Sequence, residues 1–145
     1  MLFPALSLIP EGSFWDRYGI DGFMEEKSVQ CKHDTRIASS QNIWHEIYEK
    51  SALNDRQAWR KSPGIAELYI FTTETNLAYV GYLVKIDTLA RLEQGRTLKV
   101  IYPNGGAATS MGFLLPLKDF GTDIHETVEL KEDYSISRPP HGGAF

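Results

Sequence analysis

Residues 66–73 (AELYIFTT) and 77–86 (LAYVGYLVKI) are two nearly uninterrupted apolar runs of strand length, separated only by Glu74, Thr75 and Asn76. A run without polar alternation belongs to an element covered on both faces, so the first reads as a buried strand and the second as its antiparallel partner. Any fold for this chain has to be built around that pair.

The remaining elements are read outward from it. Gly22 to Met24 and Lys27 to Lys32 are short β-compatible runs separated by Glu25 and Glu26, which predicts a β-hairpin with its turn at the surface. From Ser39 or Ser40, each a good N-cap, the positions Ile43, Trp44, Ile47 and Tyr48 recur at helical spacing and predict an amphipathic helix ending near Ser51. Asp87 is expected to cap a short helix, TLARLEQ, that Gly95 ends. Strands are expected over Leu98 to Tyr102 and Phe113 to Leu117, joined by a mobile glycine-rich loop, PNGGAATSMG. Gly105-Gly106 in that loop lacks the strand and helix context of a phosphate-binding loop and reads as a turn.

With no repeat, linker or low-complexity tract, the 145 residues are expected to form one domain over 1–136, followed by a loose tail, SRPPHGGAF, at 137–145. Cys31 is the only cysteine, so no internal disulfide forms and a reducing cytoplasm fits best. No secretory leader is read at the start. The opening MLFPALSLIP is interrupted by Pro4 and Pro10 and is about half the ~20 residues a bilayer crossing needs, so packing is expected there and no membrane contact. The net charge of −4 argues against a protein that coats nucleic acid by charge alone, while leaving room for a local basic groove.

The chemistry is expected around Asp21, Gln30 and Lys32. Residues two apart on a strand share a face, so Gln30 and Lys32 project together while Cys31 turns into the core, and the hairpin partner presents Asp21 beside them. A carboxylate, an amide oxygen and an ammonium around one point suit phosphodiester hydrolysis: a hard cation takes oxygen ligands, and a positive charge offsets charge growing on the phosphate. Asp21 would hold Mg²⁺ or Mn²⁺, with Gln30 and the backbone carbonyl of Cys31 as further oxygen ligands, and Lys32 would orient the attacking water.

The pattern Gly19-Ile20-Asp21-Gly22 followed by Val29-Gln30-Cys31-Lys32 resembles the catalytic core of PD-(D/E)XK nucleases in the Q-x-K variant of Mrr-like members. The resemblance implies an α/β fold, a restriction-endonuclease-like central mixed sheet flanked by helices. It also implies a metal-dependent endodeoxyribonuclease cutting duplex or branched DNA, without an organic cofactor. The helix from Ser40 and the strand AELYIFTT agree with that family's order of elements. The family's first helix carries a glutamate that completes the metal site; here Glu11 is the only glutamate before Asp21, and Asp16 and Glu46 are the other acids in reach. A homodimer is expected, since two copies serve the two strands of a duplex. The rival reading is a catalytically silent binding relative of phage or defence origin.

Among other residues, Cys31 reads as core packing and not as a nucleophile. His33, His45, His125 and His141 lack ligand spacing and read as mostly surface residues, with His33 set apart because it follows Lys32. Lys27, His33, Arg36, Ser39 and Asn42 are the candidate DNA contacts, with Lys32, Ser40 and Gln41 among them and Arg56, Arg60 and Lys61 around Trp59 as a second basic patch. Trp44, Tyr48, Tyr69, Phe71, Tyr79 and Tyr82 are assigned to the core and its margins.

Overall fold

A computed structural model describes residues 2–50, 59–101 and 110–132. The predicted tail, most of the glycine-rich loop, Arg56, His141 and the domain boundary at 136 lie outside the described residues. The two apolar runs form β6 (Leu68–Glu74) and β7 (Ala78–Lys85), paired antiparallel with Leu68 opposite Lys85. Strand β6 is buried on both faces. Tyr69 and Phe71 join one apolar cluster with Ile43, Leu89, Leu115 and Phe120, while Leu68 and Ile70 join another with Phe3, Met24 and Val29. Hence no polar alternation was visible in its sequence.

The other neighbour of β6 is β3 (Lys27–His33), which runs parallel to it with Gln30 opposite Tyr69 and Lys32 opposite Phe71. Together with β1 (Leu6–Leu8), β2 (Gly22–Met24) and β10 (Ile124–Leu130), these make a six-stranded mixed sheet in the order β1-β2-β3-β6-β7-β10. A second sheet, in the order β5-β4-β9-β8, contains β4 (Asn42–Glu49), β5 (Arg60–Lys61), β8 (Lys99–Ile101) and β9 (Ser110–Pro116). Helices are few. They are α1 (Ile37–Ser40) and α2 (Ile86–Glu93), with 3₁₀ turns at Asp16–Tyr18 and Leu117–Phe120.

The fold is therefore α/β with a mixed sheet, made mostly of strands. The long helix expected from Ser40 to Ser51 is strand β4, so the helix-then-strand order that matched the nuclease pattern is not present. β-branched and aromatic residues dominate this segment, and pairing with β9 buries Ile43 and His45 on one face. A bulge between Glu46 and Tyr48 shifts the phase of alternation and leaves an apolar pattern that imitates helical spacing. Gly112 lies opposite Glu46, where a Cβ would collide with the carbonyl oxygen of His45.

Helix α2 begins one residue before Asp87. Lys85 is its N-cap, and Asp87 lies in the first turn, where its charge complements the helix dipole without capping it. Gly95 follows the C-cap with φ +77°, ending the helix as expected. Of the assigned aromatics, Tyr79 is on the exposed outer face, with the Lys131 ammonium 4.9 Å from its ring centroid.

The hairpin of β2 and β3 forms in the expected place, with Met24 opposite Lys27 and a two-residue turn at Glu25 and Glu26. Both glutamates have left-handed backbones, φ 49° and 68°, the turn geometry that glycine and asparagine adopt without penalty. The double substitution Glu25→Asn with Glu26→Gly is expected to raise unfolding stability by about 1–2 kcal/mol by relieving that strain and the adjacent like charges. Urea unfolding of the double variant against wild type measures it, and an unchanged or lower midpoint would show the turn to be unstrained.

Candidate functional site

Asp21 sits just ahead of β2 and is held from three directions. Its N–H donates to the Val29 carbonyl at 2.8 Å and its own carbonyl accepts from Ile9 at 2.9 Å. Its Oδ2 accepts the Cys31 N–H at 2.7 Å. The carboxylate thus takes the place of the next backbone acceptor along the hairpin and fixes Asp21 beside the Gln30-Cys31-Lys32 stretch of β3. Cys31 lies between the two polar residues on the opposite face, packed against the cluster of Val29 and Ile70. Burial, and then the Asp21 charge, push its thiol up to about 11, which suits packing and not nucleophilic attack.

Gln30 and Lys32 share the face that looks toward the second sheet. Gln30 is only 7% exposed, and its Oε1 has no hydrogen-bond partner among the described residues. Lys32 is half-buried, and among the described residues no carboxylate lies within ion-pair distance of its Nζ. Facing them is a residue that sequence reasoning placed at the surface. His45, on β4, is buried and its ring meets Tyr69 edge-on, with centroids 5.5 Å apart.

The His45 Nδ1 lies 2.5 Å from Glu93 Oε1 at the end of α2, a close contact off the line of a good hydrogen bond. Burial, and next the Lys32 charge, lower the imidazole to about 4, with Glu46 opposing. Burial raises the Glu93 carboxyl, against the pull of Lys61. Burial and the Glu93 charge push the Tyr69 phenol up to about 12. Burial thus draws both His45 and Glu93 toward their uncharged forms, with the Lys32 charge adding to the shift on His45. One signal could have found His45: read as a strand, NIWHEIYE puts it on the same face as Ile43.

The remaining candidates are dispersed. Glu11 is exposed in the turn after Pro10, and the Asp16 side chain lies outside what the structure describes. Glu46 is on a strand and not on a helix, and both its oxygens are occupied: Ser62 Oγ donates to Oε1 at 2.7 Å and Ser110 Oγ to Oε2 at 2.6 Å. Among the described residues no group of three or more His, Cys, Asp and Glu is arranged to hold a metal ion.

Lys27 and His33 stand at opposite ends of β3, roughly 20 Å apart at the usual strand rise. His33 shares a 2.8 Å hydrogen bond with Thr72. Arg36 grips Asp34 through Nε at 2.9 Å and Nη2 at 3.2 Å; burial alone would raise the Asp34 carboxyl, but these bonds and the Arg36 charge hold it below the usual range. Ser39 donates to the Arg36 carbonyl, and the Asn42 N–H donates to Ser40 Oγ. Four of the five proposed DNA contacts thus lie in one stretch around α1, with Lys27 apart from it. In the second patch, Arg60 and Lys61 form β5; the Arg60 side chain is not described.

The His45 shift has a consequence for stability. Between its ordinary value of 6.5 and about 4, unfolded His45 binds a proton that folded His45 does not, so stability falls as pH drops through that window. Glu93, raised on folding, offsets part of the loss. Urea unfolding is expected to show wild type losing roughly 2 kcal/mol between pH 7 and pH 5, and His45→Gln losing less. An equal loss in the variant would place the sensitivity elsewhere.

Compared with protein-family models, with curated proteins and with solved structures, the chain has no match.

Proposed function

We propose that this chain is a Mg²⁺- or Mn²⁺-dependent endodeoxyribonuclease whose working residues are Asp21, Gln30 and Lys32. The observation that carries the reading is the Gln30–Lys32 face of β3: a buried amide oxygen without a partner next to a half-buried ammonium without a carboxylate among the described residues. Unsatisfied buried oxygens are rare, and one of their explanations is an ion. The donor chemistry fits a hard cation: Asp21 has one oxygen beyond the one bonded to Cys31, and Gln30 offers a second oxygen ligand. When bound, the cation would polarise the phosphate and lower the pKa of a bound water.

Lys32 would then meet the developing negative charge, with no ion-paired acid among the described residues to compete for it. DNA would approach over the end of β3 and α1, where His33, Ser39 and Asn42 lie; the Arg36 guanidinium would have to leave Asp34 to join them. One carboxylate holds a divalent ion weakly, so activity is expected to need the metal at millimolar concentration. Two copies would serve the two strands of a duplex.

A second reading, DNA binding without cleavage, is favoured by Glu46: this candidate for the second metal-binding acid has both oxygens bonded to hydroxyls. Incubation of supercoiled plasmid with the protein and either ion separates the two. Wild type is expected to nick, with Asp21→Asn and Lys32→Ala each slower by about a hundredfold or more. Retention of DNA in a gel without nicking would select the second reading. Equal nicking by all three proteins, or neither nicking nor retention by wild type, would sink the assignment.

A further inference from the structure

We infer that β10 is a self-association edge, pairing antiparallel with β10 of a second copy about a two-fold axis at Thr127 and so joining two six-stranded sheets into one. The inference stands on β10 alone and is independent of the hydrolytic reading. The two edges of the large sheet differ: β1 has three residues and β10 has seven, regularly paired with β7 from Ile124 opposite Val84 to Leu130 opposite Ala78. β10 has no proline, lysine or bulge, although Glu126 and Glu129 give it charge, and it exposes Val128 at 53% and Leu130 at 77%.

The backbone fixes which residues face outward. The Lys131 N–H donates to the Leu77 carbonyl at 2.8 Å, which continues the β7 register and makes the odd-numbered positions the hydrogen-bonded ones. The N–H and C=O groups of Ile124, Glu126, Val128 and Leu130 therefore point away from the sheet. Two copies can bond through these groups only in registers that place even residues opposite even residues.

Side chains choose among those registers. With Thr127 opposite itself, Ile124 meets Leu130, Glu126 meets Val128, His125 meets Glu129, and just beyond the strand Asp123 meets Lys131. Shifting one way puts Glu126 against its own copy and Asp123 against Glu129. Shifting the other way puts His125 against Lys131 and sets Glu126 against Leu130. Only the Thr127 register sets Asp123 opposite Lys131 and covers Leu130 with an apolar partner; Asp123 already bonds Arg91 and Lys131 already bonds Glu74, so their cross-strand attraction is secondary. Glu129 already has an interaction, so the pairing asks only for its position opposite His125. Exposed charge pairs contribute little affinity, so their part is to select register while the backbone bonds and the covered Val128 and Leu130 hold the copies together.

The test is a cross-link that reads the register. In a Cys31→Ser background, Thr127→Cys places two thiols opposite each other at a non-hydrogen-bonded pair, with Cα atoms about 4.5 Å apart, inside the range a disulfide spans. Air oxidation is expected to give a covalent dimer of twice 16.4 kDa, whereas Glu126→Cys in the same background cross-links at least tenfold less. Sedimentation of the uncross-linked chain should show a concentration-dependent dimer. Val128→Pro, which removes only an outward N–H, should abolish the dimer. His125→Glu should weaken association about tenfold, and His125→Lys should preserve it. A wild type that stays monomeric at every concentration, equal cross-linking of both cysteines, or dimers unaffected by both Val128→Pro and His125→Glu would each overturn the inference.

Discussion

The double-sided burial of β6 sets the rest of the molecule. Its side chains alternate between two apolar clusters, so both faces of the sheet need a cover, and its parallel neighbour β3 needs a crossover of more than a dozen residues. Such crossovers are usually helices. Here the segment from Asp34 to Glu67 contributes the single turn α1 and the strands β4 and β5, so the layer over β6 is a second sheet, with α2 beside it. That substitution of sheet for helix turns His45 inward and encloses the face of β3 that carries Gln30 and Lys32.

The same substitution explains what was legible in the sequence. The β2–β3 hairpin, β6, β7 and α2 could be read because their signals are local: paired short runs around a turn, continuous apolar strands, and a helix stopped by glycine. Segment 42–49 could not, because Ile43, Trp44, Ile47 and Tyr48 satisfy a helical period while the bulge after Glu46 breaks the strand period. The polar His45 at a buried position hides the alternation further. Strand β10 was missed for another reason. Its sequence IHETVEL has four polar residues in seven, as an edge with little cover permits, and nothing in it announces the partner β7.

At the site, the side-by-side placement of Gln30 and Lys32 followed from strand geometry and needed no tertiary information. The bond from the Cys31 N–H to the Asp21 carboxylate follows from the same hairpin, although only the structure shows that one of the two carboxylate oxygens is spent on it. The contact between His45 and Glu93 joins β4 to the end of α2, residues far apart in the chain and without a motif between them. The expectation for Glu46 failed because a strand, unlike a helix, delivers it to the hydroxyls of Ser62 and Ser110.

The electrostatics of this interior favour one sign of visitor. A buried pair such as His45 and Glu93 can be ionic or neutral; burial draws both toward neutrality, and the positive charge of Lys32 disfavours a second cation on His45. Both oxygens of Glu46, next to His45 on β4, are held by the hydroxyls of Ser62 and Ser110. An ammonium in a partly dry setting attracts an external anion more strongly than an exposed lysine does, because the intervening medium screens less. The lowered imidazole of His45 and the neighbouring ammonium of Lys32 are thus two aspects of one arrangement, since the Lys32 charge is, after burial, the cause of the shift on His45.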